Sequence, residues 1–201
     1  SSMKKKLSGA ILAGGQGRRL GGVAKGMILV NGRPIIARVA ETLAGFVEET
    51  IIVSNDANIY RFLELPVFPD DEAGRGPLQG IVTAIRKSAW DQVIVAPCDM
   101  PYVTPEAIRT LLSYAHDADA VVPLSAKGWE PLFAVYSKAC LAAAEKVLES
   151  GRRRIIEFLP DVRTVYIPAG EFDESLWFNI NNHVDLRQAK GTITGCDSTT
   201  K

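Results

Sequence analysis

A glycine-rich, basic segment is the first feature of this chain that could do chemistry. Residues 12–25 read LAGGQGRRLGGVAK and combine five glycines with Arg18, Arg19 and Lys25. An apolar run ends at Leu12, so the chain passes from a predicted buried strand into a basic loop. Backbone N–H groups of such a loop can surround a phosphate, and arginine and lysine side chains neutralise its charge. The segment therefore predicts a site for a phosphate or a similar anion.

The spacing of these glycines matches neither of the two common phosphate loops. A dinucleotide-binding fingerprint that begins at Gly15 and Gly17 needs a third glycine where the chain has Leu20. A P-loop that begins at Gly17 fits Gly22, but it needs lysine where the chain has Val23. The segment is therefore a phosphate loop of a third kind or a structural turn, and both interpretations stay open at this point.

An acidic residue after another apolar run is a candidate metal ligand. Asp99 comes shortly after residues 93–96 and is flanked by Pro97 and Pro101. Mg²⁺ typically takes one or two carboxylates together with phosphate oxygens and water, which makes Asp99 a candidate Mg²⁺ ligand. Capping of the next helix is the structural alternative, but Thr104, which is followed by a proline, is the better cap.

Three more polar clusters each have a functional and a structural interpretation. Asp70 and Asp71 follow a predicted strand, and they either bind a polar ligand or occupy a turn. Asn179 and Asn181 present two amides on one face of an extended stretch, which suits a ligand or a metal, although asparagines also cap helices. The three arginines at 152–154 could contact a second anionic substrate or form a solvated face.

The histidines and cysteines give no sign of covalent catalysis. His116 and His183 are far apart in the sequence and lie outside the glycine-rich segment, and no nucleophile has a recognisable partner. Cys98, Cys140 and Cys196 are odd in number and contain no CxxC pair, which argues against a disulfide framework and a zinc site. The chemistry is expected to be electrostatic, and the cysteine usage favours a reducing cytoplasm.

Strand and helix patterns alternate along the chain. Short apolar runs predict strands at 9–12, 50–54, 66–68, 92–96 and 120–123, and looser patterns suggest a strand at 132–136, a helix at 138–149 and a strand at 163–167. Apolar stripes at helical spacing follow Pro34 (Ile36, Val39, Ala40, Leu43) and Gly76 (Leu78, Ile81, Val82, Ile85). This alternation predicts an α/β fold, a single Rossmann-like three-layer domain with a mostly parallel central sheet.

Composition places limits on partners and location. The chain has 201 residues, and its 23 basic residues equal its 23 acidic residues, so no overall basic field favours nucleic acid or an anionic membrane. No apolar run approaches the roughly 20 residues that span a bilayer, and we expect a cytoplasmic protein. We expect one domain over residues 7–191, with flexible termini at 1–6 and 192–201.

Five motifs together resemble one enzyme family. They are LAGGQGRRLGGVAK at 12–25, GPLQGI at 76–81, CDMP at 98–101, EPLFAVY at 130–136 and NIN at 179–181. The chain resembles the molybdenum cofactor guanylyltransferases, often called MobA, over roughly residues 9–189. The first motif is shared with the wider nucleotidyltransferase group, whose members have a fold like that of nucleotide-diphospho-sugar transferases.

The resemblance implies a reaction and a set of site residues. The reaction is transfer of GMP from GTP to molybdopterin that carries molybdenum, with release of pyrophosphate. The implied nucleotide contacts are Leu12, Ala13, Gly14, Gly15, Lys25 on the phosphates, Asn55 (or Ser54), Asp70 near the guanosine, and Asp99 through Mg²⁺. The implied acceptor contacts are Arg153, Asn179 and Asn181, and molybdoenzyme maturation proteins are possible partners.

The residue chemistry supports the same reaction class. A phosphate oxygen of the acceptor can attack the α-phosphorus in line, while Arg19, Lys25 and Mg²⁺ on Asp99 stabilise the developing charge. The attacking phosphate is already an anion, so no basic histidine is needed. The alternatives are a related transferase that uses CTP or another phosphorylated acceptor, and a non-catalytic nucleotide-binding adapter. The combination of Arg19, Lys25 and Asp99 favours catalysis over simple binding.

Overall fold

The architecture is known from a computed structural model, which describes residues 3–14, 19–70 and 76–180. The α-helices in these ranges are α1 Ile35–Ala44, α2 Pro77–Lys87, α3 Pro105–Ser113 and α4 Leu141–Glu149. The strands are β1 Leu7–Leu12, β2 Arg19–Leu20, β3 Val23–Ala24, β4 Leu29–Val30, β5 Arg33–Pro34, β6 Glu49–Val53, β7 Val67–Phe68, β8 Gln92–Pro97, β9 Ala120–Ser125, β10 Gly128–Trp129, β11 Ala134–Ser137 and β12 Thr164–Ile167. Short 3₁₀ helices are Lys25–Met27, Asn58–Leu63, Lys138–Cys140, Ile155–Glu157, Leu159–Asp161, Ala169–Glu171 and Glu174–Trp177.

The main sheet has its most apolar strands at the centre. Its order is β10-β9-β11-β8-β1-β6-β7, and β12 pairs with β9. The pairs β1–β6, β1–β8, β6–β7 and β9–β12 are parallel, whereas β11 runs antiparallel to β8 and β9. Every residue of β1 and β8 is buried, as expected for strands that are covered on both faces. The predicted α/β fold with a mostly parallel sheet is confirmed.

Helices cover the sheet through the apolar stripes that the sequence contains. Ile36, Val39 and Leu43 of α1 are buried in one core cluster, which also takes in α3. Ile81 and Ile85 of α2 are buried in the second cluster, which also takes in α4. The two clusters lie on opposite faces of the sheet because residues alternate along its strands: Ile11 and Ile52 belong to the first, and their neighbours in sequence belong to the second.

Two local elements differ from the sequence prediction. The helix predicted over 138–149 begins as a 3₁₀ turn at Lys138–Cys140. The Lys138 amine donates to the carbonyl oxygens of Ile85 and Ser88 at 2.9 and 2.8 Å and thus caps the end of α2. Part of the glycine-rich segment is ordered as the hairpin β2–β3, whose turn uses Gly21 and Gly22 at φ values of 57° and 84°.

Two expectations concern the termini and membranes. The predicted C-terminal tail, 192–201, lies outside the described residues. Of the predicted N-terminal segment, 1–6, the structure describes the residues from Met3 onward. Among the helices in the described ranges, none combines the length and apolarity needed to cross a bilayer.

Candidate active site

A cavity of about 1150 Å³ lies beyond the carboxyl ends of the central strands. This is where open α/β sheets bind ligands. The cavity wall includes ten of the residues that the sequence predicts for the site: Leu12, Ala13, Gly14, Arg19, Lys25, Asn55, Asp70, Asp99, Arg153 and Asn179. The two other predicted residues, Gly15 and Asn181, lie outside the described residues.

The cavity floor is formed by the ends of four strands, and three backbone hydrogen bonds continue the bonding of the sheet there. Ala13 donates from its backbone N–H to the Val53 carbonyl oxygen at 2.9 Å, and Cys98 donates to that of Leu12 at 3.1 Å. Ser54 donates in the same way to Phe68 at 2.9 Å. The turns after β1, β6, β7 and β8 are therefore held side by side, which brings residues far apart in sequence to one edge of the sheet.

The Asp70 carboxylate lies close to the backbone at Gly14. A Cβ atom added at Gly14 would lie 3.3 Å from Asp70 Oδ2, so the glycine allows the carboxylate and the turn after β1 to approach each other. The side-chain amide oxygen of Asn55 accepts the Asp70 backbone N–H at 2.9 Å. Asn55 and Asp70 thus form one unit at this end of the cavity, which will be called the strand-end side together with Gly14, Lys25 and Asp99.

Lys25 and Asp99 are charged side chains that the fold buries at the cavity. Lys25 is 7% exposed and Asp99 is 2% exposed. Lys25 begins the 3₁₀ turn that continues through Gly26, and a Cβ added at Gly26 would lie 3.1 Å from Cys98 Cβ. Only a glycine fits there without a shift, so the turn that carries Lys25 packs directly against the turn that carries Asp99. Charged residues are rarely buried without a structural partner or a functional role.

Arg19 lies at the open edge of the same cavity. Its guanidinium donates to the Gly22 carbonyl oxygen at 2.9 Å and to Asp56 Oδ2 at 3.2 Å. The two side chains are 58% and 41% exposed, so this ion pair is well solvated and weak. The sequence does not predict the pairing of Arg19 with Asp56, because the pair joins residues 37 positions apart and no local pattern indicates it.

The arginine cluster at 152–154 is divided by the structure. Arg152 donates from Nε to Ser150 Oγ at 3.0 Å and pairs with Glu157 at 3.0 Å, so it stabilises the turn after α4. Arg153 instead lines the cavity. The cluster therefore supplies one residue with a local structural contact and one at the site.

A segment that the sequence interpretation did not assign to the site forms the opposite wall. Trp129, Glu130 and the residues 131–133 line the cavity, as does Trp177. The backbone N–H of Glu130 donates to the Pro123 carbonyl oxygen at 2.9 Å, and Ser125 Oγ donates to the Glu130 carboxylate at 2.7 Å. This wall is held by contacts to β9, and it will be called the hairpin side.

Strand register explains why residues 130–133 reach the cavity. Trp129 pairs with Leu124, whereas Val135 pairs with Val121. The chain thus advances six residues while β9 advances three, and the extra residues bulge out of the ladder. The Tyr136 hydroxyl donates to the Pro131 carbonyl oxygen and ties the bulge to β11. Burial raises the pKa of Tyr136 well above its ordinary value, so the hydroxyl keeps its proton for this bond.

The part of the site that the structure describes contains one residue predicted to bind a metal. In the described residues there is no cluster of three or more histidine, cysteine, aspartate and glutamate side chains that could hold a metal. Asp99 is nevertheless a carboxylate at the cavity wall, on the turn after β8 that is hydrogen-bonded to the end of β1. A Mg²⁺ ion held by one carboxylate, with nucleotide phosphates and water as its other ligands, fits this arrangement.

A family model agrees with the position of the site. The model that describes a MobA-like NTP transferase domain matches residues 9–164, which include every strand that forms the cavity floor. The chain belongs to this family. The match ends before Trp177 and Asn179, so part of the cavity wall of this MobA-like protein lies outside the matched region.

Similar proteins extend the likeness over most of the MobA-like chain. A probable molybdenum cofactor guanylyltransferase of Pelotomaculum thermopropionicum is 37% identical over 188 residues, 91% of each chain. One from Methanothermobacter thermautotrophicus is 33% identical over 89% of this chain and 96% of its own. The crystal structure of molybdopterin-guanine dinucleotide biosynthesis protein A from Archaeoglobus fulgidus superposes with a TM-score of 0.74 at 31% identity, covering 90% of this chain and 96% of its own.

Proposed function

We propose that the protein transfers GMP from GTP to the phosphate of molybdopterin that carries molybdenum, with release of pyrophosphate. The observation that carries this proposal is the burial of Lys25 and Asp99 on two turns that pack against each other at the strand ends. Its support from similar proteins is the name molybdenum cofactor guanylyltransferase, given to relatives that match nine-tenths of the chain. The geometry supports nucleotidyl transfer as the reaction class, and the names of the relatives support molybdopterin as the acceptor.

On this proposal the strand-end side holds the nucleotide. Backbone groups at Leu12, Ala13 and Gly14 line it, and Gly15 belongs to the same predicted loop. The unit formed by Asn55 and Asp70 contacts the guanosine, since it lies on the turns after β6 and β7, next to Gly14. Lys25 binds the phosphates, and its low exposure strengthens that contact because little water screens it.

The chemical step needs positioning and charge stabilisation rather than proton transfer. A phosphate oxygen of molybdopterin attacks the α-phosphorus of GTP, a new P–O–P bond forms, and the bond to the β-phosphate oxygen breaks in line. Lys25 and Arg19 neutralise the charge that develops on the transferring phosphoryl group and on pyrophosphate. Arg19 must exchange its contact with Asp56 for the phosphates, which costs little because the pair is exposed.

We assign a divalent cation, Mg²⁺ by chemical preference, to Asp99. When bound, the ion neutralises phosphate charge and holds the leaving group in line. Asp99, which is buried on the turn after β8, would contribute a protein carboxylate. This geometry makes metal affinity dependent on the nucleotide, since most ligands come from phosphate and water.

The hairpin side, with Arg153 and Asn179, is proposed to hold the acceptor. Arg153 supplies a positive charge for the anionic acceptor, and Asn179 supplies an amide that can donate and accept hydrogen bonds. Asn181, predicted for the same role, lies outside the described residues. An interaction with molybdoenzyme maturation proteins stays a prediction.

The direct test uses GTP labelled at the α-phosphate together with molybdenum-loaded molybdopterin and Mg²⁺. The expected result is label in a guanine dinucleotide product and one pyrophosphate released per product. Label transferred only from CTP would assign a cytidylyltransferase instead. Tight nucleotide binding with no transfer to molybdopterin would favour the non-catalytic adapter and contradict the proposal.

A further inference from the structure

Two of the large hydrophobic side chains that the described structure leaves exposed are stacked on each other. Trp129 is 48% exposed and Tyr166 is 38% exposed. Their ring centroids are 5.6 Å apart with an interplanar angle of 24°. Trp129 belongs to β10, which forms a hairpin with β9, and Tyr166 belongs to β12, which also pairs with β9. The indole is therefore supported by a second strand instead of swinging freely on its hairpin.

Trp129 also belongs to the wall of the cavity. The stack covers one face of the indole with Tyr166, so the opposite face is the surface available to a ligand. Its neighbour Glu130 is fixed by hydrogen bonds to Pro123 and Ser125, which holds this part of the hairpin in place. A rigid, half-exposed aromatic ring in a ligand cavity is suited to stacking on a flat ring.

The position of Trp129 indicates whether the ring that stacks on it is the guanine of the nucleotide or the pterin of the acceptor. The guanine contacts Asn55 and Asp70 follow β6 and β7, whereas Trp129 lies beside β9. From β6 to β11 the sheet takes three strand steps, roughly 14 Å at the usual strand spacing, and β9 is one step further. The acceptor has its phosphate at one end, which must reach Lys25 and Asp99, and its pterin at the other, so the pterin extends toward the hairpin side.

We infer that the stacked pair Trp129–Tyr166 is a platform that binds the pterin ring of the acceptor, and that Trp129 is a specificity-determining residue for it. This inference rests on the proposed function. It assigns Trp129 a contact with the acceptor and none with the nucleotide. Arg153, at the same cavity, supplies the charge for the anionic acceptor, and the platform supplies selection for a planar heteroaromatic ring.

The test replaces Trp129 with phenylalanine, leucine and alanine, and measures the KM for molybdopterin and the KM for GTP separately. Trp129→Ala is expected to raise the KM for molybdopterin roughly ten- to one-hundredfold, as when an aromatic ring under a stacked base is removed. Trp129→Phe keeps a flat ring and should stay within about threefold of the parent. Trp129→Leu keeps apolar area without a ring and should resemble Trp129→Ala.

Tryptophan fluorescence gives a readout that does not need turnover. The chain has three tryptophans, and Trp90→Phe is the matched control because Trp90 lies beside Lys6 and away from the cavity wall. Because Trp177 also lines the cavity, all three proteins carry Trp177→Phe. In this background molybdopterin should quench the emission of the chain that retains Trp129, with or without Trp90→Phe, and the quenching should be largely lost in Trp129→Phe. Unchanged quenching in Trp129→Phe would overturn the platform.

The outcomes separate the platform from the proposed function. If the parent transfers GMP but Trp129→Leu keeps the parental KM for molybdopterin, the platform is wrong and the function stands. If Trp129→Ala raises the KM for GTP instead, the indole contacts the nucleotide and the inference is also overturned. If the parent transfers no GMP, yet molybdopterin quenches Trp129, the platform stands and the proposed function fails.

Discussion

At the strand-end side of the cavity, most groups that face the ligand sit on short turns directly after parallel strands, and Lys25 sits on a 3₁₀ turn that packs against the turn after β8. At the hairpin side they sit on a bulge of antiparallel chain, held by side-chain hydrogen bonds from Ser125 and Tyr136. The first arrangement brings backbone N–H groups, Lys25 and Asp99 together, which suits phosphates. The second presents Trp129 and other aromatic rings, which suits a flat acceptor. The comparison shows that one cavity combines two sites with different structural supports.

The largest expected effect concerns the strand-end side. Lys25→Ala should lower turnover about two to three orders of magnitude, the usual scale for removing one donor that stabilises transition-state charge. Steady-state rates at saturating GTP and molybdopterin measure it. Lys127→Ala is the matched control, because Lys127 is an exposed lysine of the β9–β10 turn, and it should keep the parental rate. Undiminished turnover in Lys25→Ala removes Lys25 from the mechanism.

Asp99→Asn tests the proposed metal contact. The variant keeps the size of the side chain and removes its charge, so half-maximal activity should need at least roughly tenfold more Mg²⁺, the smallest loss typical even of indirect partners of a metal. Mg²⁺ titration of the initial rate measures this shift. Asp161→Asn, at an exposed position, serves as the control. The same Mg²⁺ dependence in parent and Asp99→Asn would contradict the assignment.

The strand-end side was largely predictable from the sequence, because its residues other than Lys25 follow strands that are recognisable as short apolar runs. Lys25 is indicated instead by the glycine-rich basic segment. Residues 51–53 and 93–95 indicated central strands, and the polar residues after them reached the cavity as expected. The position of the hairpin side is not predictable in this way, although part of it belongs to the motif EPLFAVY. Its position depends on the register against β9, which differs between β10 and β11. This difference is set by tertiary pairing and not by local periodicity.

Another feature of the site depends on a contact between distant segments, since the pairing of Arg19 with Asp56 joins residues 37 positions apart. Arg152 differs from Arg153 through contacts with the nearby residues Ser150 and Glu157. The hairpin β2–β3 has only two residues in each strand, too few for an alternating pattern to be recognised.

A smaller effect is expected when the hairpin side is loosened by a substitution at Tyr136. Tyr136→Phe removes the hydroxyl that donates to the Pro131 carbonyl oxygen, and should lower the free energy of unfolding by about 1–1.5 kcal/mol because a partly buried hydrogen bond is lost. The KM for molybdopterin should rise while the KM for GTP stays within about twofold. Urea denaturation and the two KM values measure these effects. An increase in the KM for GTP alone would contradict the division of the cavity.

The smallest expected effect concerns the strand that carries Tyr166. Asp119 accepts the backbone N–H of Arg163 at 3.0 Å and pairs with its guanidinium at 3.3 Å, just before β12 begins. These hydrogen bonds, with the nearby positive charge, lower the pKa of Asp119. The stabilisation is therefore present above the pKa of the unfolded chain, about 3.9, and is lost as the pH falls through the lower pKa of the folded protein.

Asp119→Asn should accordingly destabilise the protein by about 1 kcal/mol at neutral pH, a modest value because the guanidinium is largely exposed. Urea denaturation of parent and variant between pH 7 and pH 3 is the measurement. The difference between them should narrow below about pH 4, where the unfolded carboxyl becomes protonated. A difference that widens with acidity would contradict the assigned sign.

The division of the cavity is tested most directly by calorimetric titration of GTP, in the presence of Mg²⁺, into the parent, Lys25→Ala and Trp129→Ala, with CTP and ATP as competitors for the base site. The account predicts that the parent prefers GTP, that Lys25→Ala binds it more weakly, and that Trp129→Ala binds it like the parent. Equal weakening in both variants, a preference for CTP, or no nucleotide binding to the parent would contradict a guanine nucleotide site at the strand ends.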